Sequence, residues 1–207
     1  MTGDCMSLPN RVSPFGELFA TTARGTLMGN RGGKFHTDER TLTNRRWVSR
    51  QWICCVLEFH GRHRNVWGRY YTELFFLDEV TAFAAGHRPC FECRRKDAER
   101  FAELFSGRKP RPSAAAMDET LHSERLIGKA KRTYFRKFAS LPDGAMILVE
   151  GAAFAIKGNR ALQWTPAGYS SALPPASGTV VEVLTPPSIL SVLARGYVPL
   201  WHPSAGH

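Results

Sequence analysis

The chain has 207 residues, of which 43% are hydrophobic and 22% are charged, so it is long enough to bury a sizeable core. No apolar run approaches the roughly 20 residues that a membrane-spanning helix requires, and the first residues lack the basic and apolar segments of a secretory signal. The five cysteines follow no disulfide-like spacing. We therefore expect a protein of a reducing compartment, located in the cytoplasm and not associated with a membrane.

The charge is unevenly distributed along the chain. Basic residues outnumber acidic ones by 28 to 18, a net charge of +10. The whole excess lies in residues 1–137, with 25 basic and 15 acidic residues, because the three of each sign from residue 138 onward cancel. Such asymmetry is typical of a surface that meets a polyanion, so we expect nucleic acid as the partner. A solvated basic surface without a partner is the alternative.

The predicted elements indicate an α+β protein with four regions. Residues 1–22 carry few structural signals and are expected to be poorly ordered. Region 23–106 contains predicted strands at 52–59 and 72–76, a short helix between an Asp78 N-cap and Gly86, and an amphipathic helix at 94–105. Region 107–137 begins with a basic Pro/Gly/Ser-rich linker, followed by a helix predicted over 117–138. Region 138–207 is β-rich, with a Gly-Asn turn at 158–159.

The segment 75–95, FFLDEVTAFAAGHRPCFECRR, contains a Cys-x-x-Cys pair, Cys90 and Cys93. Such a pair can be half of a zinc site or a redox motif. A redox pair of the thioredoxin type would follow a strand within a βαβ unit, and the elements predicted around this pair do not alternate in that way. We therefore favour zinc, which needs two further Cys or His ligands.

Two upstream groups are candidates for the missing ligands. Cys54 and Cys55 are neighbours in a predicted strand, so their side chains point to opposite faces and at most one could easily serve; both are expected to be buried apolar thiols. His60 and His63 form a His-x-x-His pair in a turn. We take these two histidines as the remaining ligands of a structural zinc ion, with ordinary polar turn residues as the alternative.

The same segment resembles the metal-binding domain of Ada, the bacterial adaptive-response protein that repairs DNA methyl-phosphotriesters. That family pattern is a strand ending in Phe-Phe, a short Ala-rich helix, and then Ala-Gly-Phe-Arg-Pro-Cys-x-x-Cys-Arg. It is matched without a gap by Phe75, Phe76, Ala85, Gly86, Arg88, Pro89, Cys90, Cys93 and Arg94. The resemblance is strong over residues 72–95 and loose over 47–105. It implies a small Ada-like zinc-binding α/β region, with DNA rather than RNA as the partner.

The chain departs from the family upstream of this match. The family has a Cys-x3-Cys pair there, one member of which is the nucleophile that accepts a methyl group, whereas this sequence has His60 and His63 near those positions. An imidazole cannot replace a zinc-bound thiolate as methyl acceptor, and Cys54 or Cys55 would need a rearranged loop to do so. The resemblance therefore implies a metal-binding scaffold without methyl-acceptor activity, or the fold alone if the metal has been lost.

Arginines and aromatic residues alternate between Trp47 and Tyr71, as in surfaces that bind phosphates and stack on bases. Trp52, in the middle of this stretch, is expected in the core. The predicted nucleic-acid contacts are Arg45, Arg46, Arg50, Arg62, Arg64, Arg69, Arg88, Arg94 and Arg95.

A second cluster of chemically competent residues lies in the predicted helix 117–138. Asp118 and His122 form an i,i+4 pair on one face, with Glu124 close by. A carboxylate beside a histidine can act as a general base or bind a metal, which makes these residues catalytic candidates. A solvated helix face with ion pairs is the alternative.

Taken together, these patterns predict a nucleic-acid-binding protein with a structural zinc site. One alternative is a hydrolase or repair enzyme that acts on nucleic acid and depends on a metal or on the His/carboxylate cluster. The other is an interaction module that binds an acidic protein partner.

Overall fold

A computed structural model describes residues 7–62, 65–107, 110–172 and 174–206. Within them the strands form two six-stranded sheets and one two-stranded hairpin, accompanied by four α-helices. The expected α+β class with a β-rich C-terminal region is therefore confirmed. No helix among the described residues is long and apolar enough to cross a membrane.

The first sheet has the strand order β2-β1-β5-β3-β4-β6. Its strands are β1 (Arg11–Val12), β2 (Leu18–Phe19), β3 (Leu27–Asn30), β4 (Ile53–Val56), β5 (Leu74–Phe76) and β6 (Arg88–Pro89). The pairs β1–β5 and β4–β6 are parallel, and the other pairs are antiparallel. Strands β1 and β2 belong to the range 1–22, so part of the N-terminal region is an integral edge of this sheet.

The second sheet comes from the C-terminal part of the chain, in the order β13-β12-β11-β10-β14-β9. The hairpin β7 (Leu126–Ile127) and β8 (Ala130–Lys131) precedes it, and its strands are β9 (Tyr134–Lys137), β10 (Met146–Val149), β11 (Ala152–Lys157), β12 (Arg160–Thr165), β13 (Gly168–Ala172) and β14 (Val180–Val183). The predicted Gly-Asn turn joins β11 to β12. Gly158 and Asn159 both have positive φ, at 55° and 62°, as a tight two-residue hairpin turn requires.

The helices are α1 (Glu79–Ala84), α2 (Arg95–Ser106), α3 (Ala114–Arg125) and α4 (Pro187–Ala194), and short 3₁₀ turns occur at Phe138–Ser140 and Pro203–Gly206. The predicted N-cap of α1 is confirmed, because an Asp78 carboxylate oxygen accepts a hydrogen bond from the Thr81 amide at 2.8 Å. The prediction of one helix over 117–138 is wrong, since α3 ends at Arg125. The hairpin β7–β8 turns at Gly128 with φ at 62°, and the β-branched and aromatic residues after it favour a strand.

Helix α1 lies at the centre of the fold and is buried on every side. Val80 packs against the second sheet, and Ala82 packs into the core of the first. Phe83 contacts the layer formed by the other three helices, with its ring centroid 5.6 Å from that of Phe101. A helix with apolar residues on all faces is stable only when surrounded in this way. The C-terminal β-rich region therefore shares its core with the rest of the chain.

Two buried carboxylates at the start of α1 reinforce this packing. Asp78 also accepts a hydrogen bond from the Tyr169 hydroxyl at 3.1 Å, which connects α1 to β13. Glu79 forms an ion pair with Arg94 at 2.7 Å and accepts a hydrogen bond from the Tyr197 hydroxyl at 3.0 Å. Both carboxylates are 0% exposed, and burial raises the pKa of each. Each charge is therefore offset by donors from distant parts of the chain.

A second buried ion pair joins β6 to α3. Arg88 donates from Nε and Nη2 to the two carboxylate oxygens of Asp118, at 2.8 and 2.7 Å. The Arg88 side chain is 1% exposed and that of Asp118 is 9% exposed. A bidentate pair of this kind fixes the relative orientation of the two elements.

Replacing Asp118 with alanine would leave the Arg88 guanidinium buried without its carboxylate. We expect Asp118→Ala to lower the free energy of unfolding by about 3–5 kcal/mol. The neighbouring Glu119 pairs with Arg50 at the surface, where both side chains are more than half exposed, so Glu119→Ala should cost less than about 1 kcal/mol. Urea denaturation of the two variants and the wild type measures both effects, and equal losses would contradict this role of Asp118.

Candidate metal centre and the surface around it

Three cysteine side chains converge at one end of the first sheet. The sulfur atoms of Cys55, Cys90 and Cys93 all lie within 4.8 Å of one another, which is close enough for one metal ion to bind all three. Cys55 is in β4, Cys90 follows β6, and Cys93 lies just before α2. The structure thus brings the predicted Cys90 and Cys93 together and adds Cys55, which was expected to be an inert thiol.

The register of the strands explains this convergence. Strand β6 pairs in parallel with β4, with Cys54 opposite Pro89, so the next step along both strands places Cys90 beside Cys55. The Cys90 amide donates to the Cys54 carbonyl at 3.0 Å and fixes this alignment. The chain then turns tightly, because the Arg94 amide donates to the Cys90 carbonyl at 3.0 Å. That turn folds Cys93 back towards the other two sulfurs.

Cys54 faces the opposite side of β4, as the alternation of side chains along a strand requires. It is 0% exposed in the core of the first sheet, and the Arg94 guanidinium donates a hydrogen bond to its sulfur at 3.1 Å. Burial, together with the negative charge of Glu79, raises the pKa of the Cys54 thiol. Cys54 is therefore a protonated core thiol, and of the two adjacent cysteines only Cys55 is placed to bind a metal.

The three clustered thiols interact strongly with one another. Hydrogen bonds from Cys55 and Cys93 lower the pKa of the Cys90 thiol, and the amide of Glu92 also donates to the Cys90 sulfur at 3.4 Å. The same bond with Cys90 raises the pKa of the Cys55 thiol. The donors around Cys90 therefore favour its thiolate form over those of its neighbours. A divalent cation that binds thiolates would displace those protons.

Of the two histidines chosen from the spacing, His60 is described and does not join this group. His60 is exposed, has φ at 52° and contacts the ring of Phe59, with 4.1 Å between the ring centroids. The prediction of His60 as a ligand is wrong in this structure, because its side chain lies outside the cluster of thiols and packs against Phe59. His63 lies outside the described residues. Among the described residues, the group contains no fourth His, Cys, Asp or Glu side chain.

A cavity of about 900 Å³ opens directly over the thiols. Besides the three cysteines, its walls include Arg62, Arg69, Tyr70 and Tyr71. Tyr70 is 71% exposed and Tyr71 is 48% exposed, so both rings are accessible to a partner. The cavity therefore combines thiol, aromatic and cationic groups on one face.

Most of the arginines predicted to bind nucleic acid are exposed: Arg45, Arg46, Arg50, Arg62, Arg69 and Arg95. Three of them form ion pairs at the surface, Arg50 with Glu119, Arg62 with Glu92 and Arg95 with Glu99. Arg64 lies outside the described residues.

Two of the predicted arginine contacts are wrong. Arg88 and Arg94 are 1% and 4% exposed and are held by the buried carboxylates of Asp118 and Glu79. They cannot reach a phosphate group without breaking those pairs, so their role is to hold the fold together.

The catalytic candidates on α3 each contact different partners. Both carboxylate oxygens of Asp118 are occupied by Arg88. Glu124 accepts hydrogen bonds from the amide and hydroxyl of Ser188, at 2.9 and 2.6 Å. His122 contacts the Arg125 guanidinium at 3.1 Å and the ring of Trp47, and burial lowers its pKa. The structure does not bring these side chains together as an acid–base group.

Separate substitutions of the adjacent Cys54 and Cys55 distinguish the metal ligand from the core thiol. We expect the wild type to bind about one equivalent of Co²⁺ with thiolate charge-transfer absorption, and Cys55→Ala to lose most of that signal. Cys54→Ala should retain it, because Cys54 points away from the cluster, and His60→Ala should retain it as well. Ultraviolet–visible titration measures the binding, and far-UV circular dichroism checks the folding. Equal loss in folded Cys54→Ala and Cys55→Ala would contradict the assignment.

No protein-family model matches this sequence, and neither the curated proteins nor the solved structures compared with it give a match. The function has to be inferred from the side chains of this chain, above all the three thiols and the surface around them.

Proposed function

We propose that this protein binds nucleic acid, DNA rather than RNA, through the face that surrounds a structural zinc site. The observation that carries the proposal is the shared cavity, in which exposed tyrosines and arginines lie beside the three clustered thiols. The charge excess of residues 1–137 supports the same partner, because a basic surface attracts the phosphate backbone.

Zinc is the metal that best suits this group of donors. Thiolate sulfur favours zinc over magnesium and calcium, which prefer oxygen ligands. Cys55, Cys90 and Cys93 would supply three positions of a tetrahedral site. His63 stays the predicted fourth ligand, and a water molecule is the alternative. A bound ion would join β4 to the segment that begins α2, and so hold the wall of the cavity in place.

The exposed tyrosines and arginines have complementary roles in this proposal. Tyr70 and Tyr71 offer ring faces on which unpaired bases can stack, and every base presents such a face. Arg62 and Arg69 lie in the same cavity wall and would contact the phosphates between those bases. This combination favours single-stranded or locally opened DNA over an intact duplex.

The proposal includes no methyl-acceptor activity. The side chains of Cys55 and Cys90 belong to residues that are 3% and 7% exposed. A methyl-accepting thiolate has to reach the phosphotriester methyl group, and burial of these two sulfurs supports a role as ligands. Together with the absence of the family's upstream Cys-x3-Cys pair, this supports zinc as a structural element.

Elemental analysis tests the zinc proposal. Protein purified without added metal is expected to contain about one zinc per chain, and Cys90→Ser much less. Chelation should lower the melting temperature of the wild type, because removing the metal disconnects β4 from the start of α2. Wild-type protein with less than about a tenth of an equivalent of zinc would contradict the proposal.

Fluorescence anisotropy with labelled oligonucleotides tests the proposed nucleic-acid-binding surface. We expect Tyr70→Ala to weaken binding to single-stranded DNA by about 1–3 kcal/mol, because it removes one stacking platform. The control is Phe135→Ala, which removes an aromatic ring that is 63% exposed on β9, in the second sheet, and should leave binding unchanged.

The salt dependence of the same binding reports on the arginines. Arg69→Gln should weaken binding to all sequences and reduce the slope of log K against log salt by about 1. Binding with no salt slope in the wild type would contradict an electrostatic nucleic-acid interface. Cleavage of the oligonucleotide by the metal-loaded protein would favour the hydrolase alternative instead.

A further inference from the structure

A second cavity, of about 570 Å³, lies on the other face of the β3–β4 pair. Side chains alternate along this part of the chain, so Ile53 and Cys55 face the metal centre while Trp52 faces the second cavity. Arg31, which directly follows β3, also lines the second cavity. The two cavities are therefore separated by the sheet, and a ligand in one does not depend on a ligand in the other.

The inner wall of the second cavity is built from buried cations stacked on one ring. The guanidinium carbons of Arg31 and Arg125 lie 3.8 and 4.0 Å from the centroid of the Trp52 ring. These two arginines are 1% and 0% exposed. Lys131 of the β7–β8 hairpin lines the same cavity and donates a hydrogen bond to the Ala84 carbonyl at the end of α1. Three positive side chains thus meet at one place.

The hydrogen-bond partners of these cations that the structure shows are neutral. Arg31 donates to the Gly16 carbonyl at 2.8 Å and contacts His87 at 3.3 Å. Arg125 donates to the carbonyl oxygens of Gly86 and Arg50, at 2.9 and 2.6 Å. Carbonyl oxygens satisfy N–H donors, but they do not neutralise a buried positive charge.

Acidic groups near this cavity are few and already engaged or exposed. Asp118 stabilises the charge on Arg125 through space, but both of its oxygens are held by Arg88. Among the described residues that line the cavity, Glu17 is the one carboxylate, and it is exposed. The elements packed around the cations therefore leave an excess of positive charge inside the cavity.

This arrangement differs from that of the other buried arginines described above. Arg88 and Arg94 each have a carboxylate partner within 2.7 Å, whereas Arg31 and Arg125 have none among their hydrogen-bond partners. The Nε atom of Arg125 is also buried without a hydrogen-bond partner among the described residues. The fold thus pairs buried arginines with carboxylates at structural positions but leaves those at this cavity without them.

The ionisation of the same groups reflects their burial beside one another. Burial, followed by the positive charges of Arg125 and Arg31, lowers the pKa of Lys131 to about 7. Burial also lowers the pKa of Arg125 to about 9 and, together with the neighbouring arginines, that of His87. Neutral His87 adds no charge to the site. An anion in the cavity would favour the protonated form of each cation.

We propose that this second cavity binds a phosphate monoester, with Arg31, Arg125 and Lys131 holding the phosphate group. A dianionic phosphate offers acceptors that match planar guanidinium donors, and its charge balances the cations that the fold leaves uncompensated. The cavity volume is within the usual range for small-molecule sites, so there is room for more than the phosphate. Trp47 and exposed Arg46 line the cavity and would contact the remainder of the ligand. The phosphate can belong to a free small molecule or to the terminus of a nucleic acid strand.

Isothermal titration calorimetry and thermal denaturation with inorganic phosphate test the site, with chloride at equal ionic strength as reference. The wild type should release binding heat and melt at a higher temperature in phosphate. Lys131→Met keeps the aliphatic stem and removes one charge, and it should weaken phosphate binding about 10- to 100-fold. Without phosphate, Lys131→Met should be at least as stable as the wild type, because it removes an uncompensated cation; a lysine needed only for folding would give the opposite result.

The control is Lys137→Met, which removes an exposed lysine of β9 and should bind phosphate like the wild type. Arg46→Gln is a second test in which folding is not at risk, since Arg46 is exposed, and it should weaken binding of thymidine 5′-monophosphate. No phosphate binding by the wild type, or equal binding by the wild type and Lys131→Met, would overturn the proposal.

Oligonucleotides that differ only in a 5′-phosphate or a 5′-hydroxyl distinguish the two sources of the ligand. Tighter binding of the phosphorylated strand, lost in Lys131→Met, would assign the site to a strand terminus. Equal binding of both strands, with thymidine 5′-monophosphate still bound, would assign it to a free phosphate compound. Tyr70→Ala should not change phosphate binding, so failure of the proposed DNA surface and failure of this site give different results.

Discussion

The carboxylates of Asp78 and Glu79 are buried between the two sheets, and the need to offset their charges determines how the chain folds around α1. Neither carboxylate could stay in that position without donors, because an isolated buried charge costs several kcal/mol. The donors come from far along the sequence: Tyr169 and Tyr197 lie in the C-terminal region, and Arg94 lies at the start of α2. The segment 75–95 is therefore completed by residues far outside it. For this reason the C-terminal region is a structural requirement for the N-terminal part, and not an independent appendage.

This dependence separates the residues of segment 75–95 into two functional kinds. Cys90 and Cys93 face the cavity and can bind a metal, whereas Arg88 and Arg94 face inward to Asp118 and Glu79. Arg94 also touches the sulfur of Cys54 on the far side of β4. The two arginines thus hold in place the strand and helix that carry the cysteines. The arginines of this segment therefore form a supporting frame, and the cysteines are the candidate ligands that it holds.

Local sequence patterns correctly predicted the features that depend only on residues close together in the chain. The Asp78 cap and the amphipathic face of α2 follow from residues within one or two turns, and both are found in the structure. The alternation rule also allowed only one of Cys54 and Cys55 to be a ligand. It could not tell which one, because that depends on the pairing of β4 with β6, whose residues are more than thirty positions away. The same limitation explains why Arg88 was assigned to the surface, where arginines are usually found. Its partner Asp118 lies on α3. Local patterns predict a helix there, but they do not predict which elements that helix packs against.

Strand β4 and the residue before it have chemically different surroundings on their two faces. Ile53 and Cys55 face the thiol cavity, while Trp52 and Cys54 face the stacked arginines and the core. Because the side-chain period of a strand is two, insertion or deletion of a single residue here would exchange the two sides at once. It would turn Cys54 towards the metal position and Trp52 away from its arginines. This short stretch can therefore vary by substitution but not in length. Natural variants of the chain should therefore keep the length of residues 51–56 unchanged.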